Sequence, residues 1–124
     1  MKSQESMVRL KMFQVRERHR EIAQLEMMIT EFERRVLELE AQIINEERKS
    51  GNNNIHHFAY SAFARATRQR RDNLIASIHD LQLQKTNVEI ALREAEVELK
   101  CTQTLEKREG KAAVGDNRIF VQSR

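Results

Sequence analysis

The chain has 124 residues, 22 of them basic and 19 acidic, for a formal net charge of +3. It carries 3 Gly, no Pro, no Trp and an aromatic share of 5%, too few large apolar groups to fill a globular core of this length. A compact enzyme fold is therefore not expected, and so small a net charge does not by itself call for nucleic acid or an acidic membrane.

Near the N-terminus, Lys2, Glu5, Arg9, Lys11 and Arg16 leave no room for the apolar stretch of a secretory signal. No segment approaches the roughly 18 apolar residues of a membrane span, and the lone Cys101 cannot form an intrachain disulfide. The expected location is the cytoplasm. Residues 1–50 contain neither Gly nor Pro, and within them Val8, Val15, Ile22, Ile29, Val36 and Ile43 recur every seven residues. Leu25, Phe32 and Leu39 follow at the spacing that completes an a/d seam, so a helix is predicted over about 3–49.

The run Gly51-Asn52-Asn53-Asn54 breaks that helix and predicts a turn over 50–58. Residues 52–109 again lack Gly and Pro. Leu74, Ile78, Leu81, Val88, Leu92, Ala95 and Leu99 form a second seam, interrupted by Arg71 and Lys85, in a helix over about 59–108. Gly110 and Gly115 then stop it, and residues 110–124 are expected to be a short disordered tail.

One antiparallel register satisfies both seams. If partner numbers sum to 110, Val36 meets Leu74, Phe32 meets Ile78, Ile29 meets Leu81, Ile22 meets Val88 and Val15 meets Ala95. Charge agrees: residues 2–20 hold 6 basic and 2 acidic side chains, and residues 21–47 hold 2 basic and 8 acidic. In helix 2 the order is again basic first, with Arg65, Arg68, Arg70 and Arg71, then acidic, with Glu89, Glu94, Glu96 and Glu98. Folding back lays opposite signs together, whereas a parallel homodimer would superimpose like blocks. The fold class is thus all-α: two long helices in an antiparallel coiled-coil hairpin over 1–109, with a flexible tail over 110–124. Helices of about 45 residues would span roughly 65–70 Å. Lys11, Arg18, Arg71 and Lys85 fall on the seam, where their stems can lie on Leu99, Leu92, Leu39 and Leu25 while the charges reach water. A seam with four cations predicts marginal stability.

Candidate chemistry is sparse. His56 and His57 adjoin Asn54, but neighbouring histidines chelate one ion poorly and no Cys or Asp stands at ligand spacing, so no metal or cofactor is expected. Acidic pairs such as Glu38 with Glu40 lack a concave pocket, and no nucleophile motif or phosphate loop is present, so no enzymatic activity is expected. Cys101 stands beside the seam and is expected to be buried and inert. The clusters Arg16, Arg18, His19, Arg20 and Arg65, Arg68, Arg70, Arg71 raise a basic, zipper-type DNA reader as one alternative. Opposing acidic blocks argue against nucleic acid as the partner. Apolar residues that the hairpin does not use are more informative: Leu10, Met12 and Phe13 near the N-terminus, and Tyr60 and Phe63 at the turn end. Such residues can engage partners or, at the turn, simply close the hairpin.

The segments Met7-Val-Arg-Leu-Lys-Met-Phe-Gln-Val15, Ile22-Ala-Gln-Leu-Glu-Met-Met-Ile29, His57-Phe-Ala-Tyr-Ser-Ala-Phe-Ala64 and Gln69-Arg-Arg-Asp-Asn-Leu74 resemble the flagellar export protein FliJ family, alphaproteobacterial type, over about residues 1–108. The resemblance implies a soluble, stalk-like component of the bacterial flagellar type III protein export apparatus. Such a component docks in the hexameric export ATPase, contacts the membrane export gate and escorts export chaperones during flagellum assembly. It lies in the cytoplasm, peripherally associated with the inner membrane at the flagellar basal body without inserting into it.

Carried over by position, Leu10, Phe13, Arg16 and Arg18 would face the ATPase. Tyr60 and Phe63 match the family's Tyr-x-x-Phe near its gate-binding surface, where Thr67 and Arg70 depart from apolar or small residues. The tail departs as well, because family members continue a charged helix where Gly110 stands here. The alternative outside this family is a generic coiled-coil scaffold or dimerisation module.

Overall fold

A computed structural model describes residues 2–122, with side chains described for residue 3 and residues 5–111. Two helices account for the fold, α1 (Lys2–Ser50) and α2 (Ala62–Gln122), and they pack against each other as an all-α hairpin. Among the described residues there is no strand. The chain forms two compact units: Met1–Ile22 with Asn87–Arg124, and Ala23–Thr86.

In the unit Ala23–Thr86 the heptads do as the sequence predicts. Ile29, Ile43 and Leu81 are buried, and Leu25, Phe32, Val36, Leu39, Leu74 and Ile78 are half-buried. Lys85 reaches Glu26 across the pair, Nζ to Oε1 at 3.4 Å. Their numbers sum to 111, beside the 110 of the expected register. The seam also runs further towards the turn than its apolar letters showed. Tyr60, Ala64 and Thr67 continue the four-three spacing that leads into Arg71 and Leu74, and all three are buried. Thr67 is fully enclosed, with its hydroxyl donating to the Phe63 carbonyl at 2.8 Å, so this buried hydroxyl is satisfied by its own helix.

The turn is built from side chains that bond their own backbone. Gly51 ends α1 with φ at +69°, the left-handed conformation that glycine adopts without a Cβ penalty. Asn52 Oδ1 accepts from the Asn54 amide at 2.9 Å, Asn54 Oδ1 from the His56 amide at 3.1 Å, and His57 Nδ1 from the Ala59 amide at 3.0 Å. These bonds hold the chain in turns as far as Ala59, the Tyr60 amide then donates to the His57 carbonyl at 3.1 Å, and α2 begins at Ala62 and not near 59. Ser61 is its N-cap: the hydroxyl accepts from the Ala64 amide at 3.2 Å, and the carbonyl accepts from the Arg65 amide at 3.0 Å.

In the unit Met1–Ile22 with Asn87–Arg124, Ala95 is buried, and Val8, Val15, Ile22, Val88, Leu92 and Leu99 are half-buried. Lys11 Nζ lies 2.8 Å from Glu98 Oε2, a pair summing to 109. The seam cations do more than reach water. Lys11 finds Glu98, Arg18 finds Glu21 at 2.9 Å, and in the other unit Arg71 finds Asp72 at 3.0 Å.

Two further expectations differ from the structure. α2 does not stop at Gly110 but continues to Gln122, because a single interior glycine costs a helix only about 1 kcal/mol. Of the tail expected over 110–124, residues 112–124 lie outside those whose side chains are described. Cys101 is exposed, not buried. It stands two residues past the seam position Leu99, and two residues rotate a side chain by about 200°, away from the partner helix.

Candidate partner-binding surfaces

Near the N-terminus the helical repeat sorts the four residues singled out above. Leu10 and Phe13 stand three apart on α1 with Arg16 three further on, so they share one face. All three are exposed, Phe13 by 52%. Arg16 has no ion-pair partner among the described residues. Arg18 belongs elsewhere: it occupies a seam position, is half-buried, and its Nη1 donates to both Glu21 oxygens at 2.9 and 3.2 Å. Leu10, Phe13 and Arg16 therefore form an apolar patch with a free cation at its edge, and Arg18 is already engaged inside the unit. Arg20 lies 3.7 Å from Glu17, so half of that basic cluster is neutralised locally.

At the turn end, Tyr60 and Phe63 part company. The Tyr60 side chain is only 5% exposed. Its hydroxyl accepts from Arg68 Nε at 2.8 Å and donates to Glu47 Oε2 at 3.2 Å, and Arg68 Nη2 closes the triangle onto the same Glu47 oxygen at 3.3 Å. The Arg65 guanidinium stands over the Tyr60 ring, 5.4 Å from its centroid. The Tyr60 hydroxyl and the Glu47 carboxylate both hold the Arg68 guanidinium protonated, raising its pKa above its ordinary value. Glu46 accepts from the Ser61 hydroxyl at 3.1 Å, which ties the α2 cap to α1. Tyr60 thus closes the hairpin, one of the two roles the sequence left open for turn aromatics.

What the turn end does expose is Phe63 together with Phe58, whose ring is 95% accessible and stacks on His57 at 4.6 Å. Sequence reasoning passed over Phe58, since a lone aromatic within a polar turn carries no periodic signal. Thr67 is absent from this surface because it is enclosed in the seam. Arg70 is exposed and lines a shallow groove of 430 Å³ with Arg35, Glu38 and Leu74. His56 and His57 are exposed, and among the described residues no three His, Cys, Asp or Glu side chains are grouped so as to hold a metal ion. Among the described residues no helix is long and apolar enough to cross a membrane.

The two basic clusters are partly spent in both units. Arg18 and Arg20 pair with Glu21 and Glu17, and Arg68 and Arg71 pair with Glu47 and Asp72. Comparison with protein-family models, with curated proteins and with solved structures gives no match for this chain.

Proposed function

We propose that this chain is a nonenzymatic coupling and chaperone-escort subunit of the bacterial flagellar type III export apparatus, acting as members of the FliJ family do. In this reading it binds the hexameric export ATPase through Leu10, Phe13 and Arg16. It meets the export gate through the turn end and works at the cytoplasmic face of the inner membrane beside the basal body. The observation that carries the reading is the outward patch of Leu10, Phe13 and Arg16, which lies in the segment where the resemblance places the ATPase contact.

The chemistry suits a docking surface. An exposed phenylalanine and leucine offer apolar area to bury in a ring lumen, and an unpaired guanidinium can take a bidentate carboxylate there. Arg18 now plays a supporting part, since its Glu21 contact keeps it within the hairpin. On the gate side Phe63 and Phe58 are the available aromatics, and Tyr60 contributes by fixing the end of the hairpin from which they project.

Stimulation of the purified export ATPase by the full chain tests the proposal. Phe13→Ala and Arg16→Glu are each expected to reduce stimulation and ring binding with helix content unchanged, because both side chains are exposed. Full stimulation by both variants would remove the assignment. Absence of any association with the ATPase ring would favour the generic coiled-coil scaffold.

A further inference from the structure

α1 carries a second seam, on the side turned away from the first. Ala23, Met27, Thr30, Leu37, Ala41 and Ile44 are all exposed, and they follow one another at spacings of four and three with Arg34 filling the remaining place. Met27 is 72% exposed, Leu37 67% and Ile44 53%. Single exposed apolar residues are ordinary. Apolar residues in a heptad rhythm from Ala23 to Ile44, about 33 Å at 1.5 Å per residue, have the pattern of a helix-pairing surface without its helix. All of them lie in the unit Ala23–Thr86.

Every charged residue at the borders of this stripe is acidic, with Gln24 the one neutral residue among them between Ala23 and Ile44. Glu31 and Glu38 stand at the flanking positions on one side, and Glu26, Glu33 and Glu40 on the other. Some of this charge is used at home: Arg34 binds Glu31, at 2.5 Å, and also Glu38, while Lys85 reaches Glu26. Glu33 and Glu40 have no ion-pair partner among the described residues. Flanking charges choose the partner in a coiled coil, and here they repel a second copy of the same face in either orientation.

We propose that the Ala23–Ile44 face of α1 is a docking surface for an amphipathic helix of another protein, one with an aliphatic seam and lysine or arginine at the positions beside it. This surface is distinct from the Leu10–Phe13–Arg16 patch and the turn end, and it does not depend on the export reading. The incoming helix would cover Met27, Leu37 and Ile44 and place its cations on Glu33 and Glu40.

Two synthetic four-heptad peptides, alike in an Ile/Leu seam but flanked by lysine in one and glutamate in the other, serve as probes for the full chain in fluorescence anisotropy. The lysine-flanked peptide is expected to bind at least 10-fold tighter. Met27→Ser with Leu37→Ser, which leaves every charge in place, is expected to weaken it at least 10-fold, as is Glu33→Lys with Glu40→Lys. A photo-crosslinker at Leu37 should capture it, and one at the exposed Leu83 of α2 should not. Circular dichroism checks that the variants keep their helices. Equal binding of both peptides, no loss on the serine substitutions, or capture at Leu83 in place of Leu37 would overturn the proposal. So would a dimer of the chain alone that Leu37→Glu disperses, since the occupant would then be a second copy.

Discussion

Replacing Tyr60 by Phe keeps the buried ring and deletes one oxygen, which isolates the polar half of the hairpin closure. That oxygen serves two charged groups, accepting from Arg68 Nε at 2.8 Å and donating to Glu47 Oε2 at 3.2 Å. A hydrogen bond to a charged group contributes about 1.5–3 kcal/mol, so two lost without compensation would cost on the order of 4 kcal/mol. Compensation is available, because Arg68 and Glu47 already touch at 3.3 Å and can close further over the vacated space. Arg68 also retains some solvent access, with its side chain 25% exposed against 13% for Glu47. The expected loss is therefore about 2 kcal/mol. Urea unfolding followed by circular dichroism measures it. Amide hydrogen exchange at Ala64 and Arg65, the first residues held by the Ser61 cap, locates it at the turn. Arg68→Met should cost a similar amount, and the double variant should cost about 1 kcal/mol less than the sum of the two. A loss below about 0.3 kcal/mol for Tyr60→Phe, or full additivity with Arg68→Met, would refute the description of Tyr60 as a polar closure.

Other outcomes follow from single residues. Gly51→Ala should cost about 1–2 kcal/mol although open space surrounds the site, because φ is +69° there. Gly110→Ala should stabilise α2 by about 0.5–1 kcal/mol as seen by helix content, and a loss of helix would contradict the continuation past residue 110. Lys85→Leu fills a seam position and gives up one partly exposed pair with Glu26, so chemical denaturation should show a gain of about 1 kcal/mol; destabilisation would mean the seam is misplaced. The Arg34 hydrogen bond holds the Glu31 carboxyl below its ordinary range. A depressed folded pKa gives stability that is present above the unfolded-chain value of about 4.3 and is lost as pH falls through the folded value. Carboxyl NMR titration should place the Glu31 midpoint below that range and return it upward in Arg34→Ala, and an unmoved midpoint would dismiss the contact.

The hairpin was legible because β-branched residues hold every a position from Val8 to Ile43, and apolar residues hold most seam positions from Leu74 to Leu99, despite the cations Lys11, Arg18 and Lys85. Where the seam changes to Thr67, Ala64 and Tyr60, hydropathy loses the trace. Small or polar-tipped side chains fit a layer only because close helix approach and a satisfied hydroxyl make room for them, and neither can be read from residue type. Arg18 was legible as a seam residue from its heptad position, and it lies there half-buried beside Glu21. Counting two residues from Leu99 would have set Cys101 outside. The second stripe was also legible in principle, from the four-three spacing of Ala23, Met27, Thr30, Leu37, Ala41 and Ile44, but the stronger first seam masked it. The start of α2 was not legible, because the Asn52, Asn54 and His57 side-chain bonds that delay it depend on turn geometry.

The claim beneath all of these is that one polypeptide folds back at Gly51 and packs on itself. Glu33 and Gln82 are exposed positions lying two heptads along from the Glu47–Arg68 pair on their respective helices, so spin labels there, in a Cys101→Ser background diluted with unlabelled protein, report the fold directly. The hairpin predicts a short separation set by neighbouring helices about 8–10 Å apart, unchanged on dilution. A separation of about 70 Å, as in one unbroken helix rising 1.5 Å per residue, or a short distance that vanishes on dilution, would contradict it.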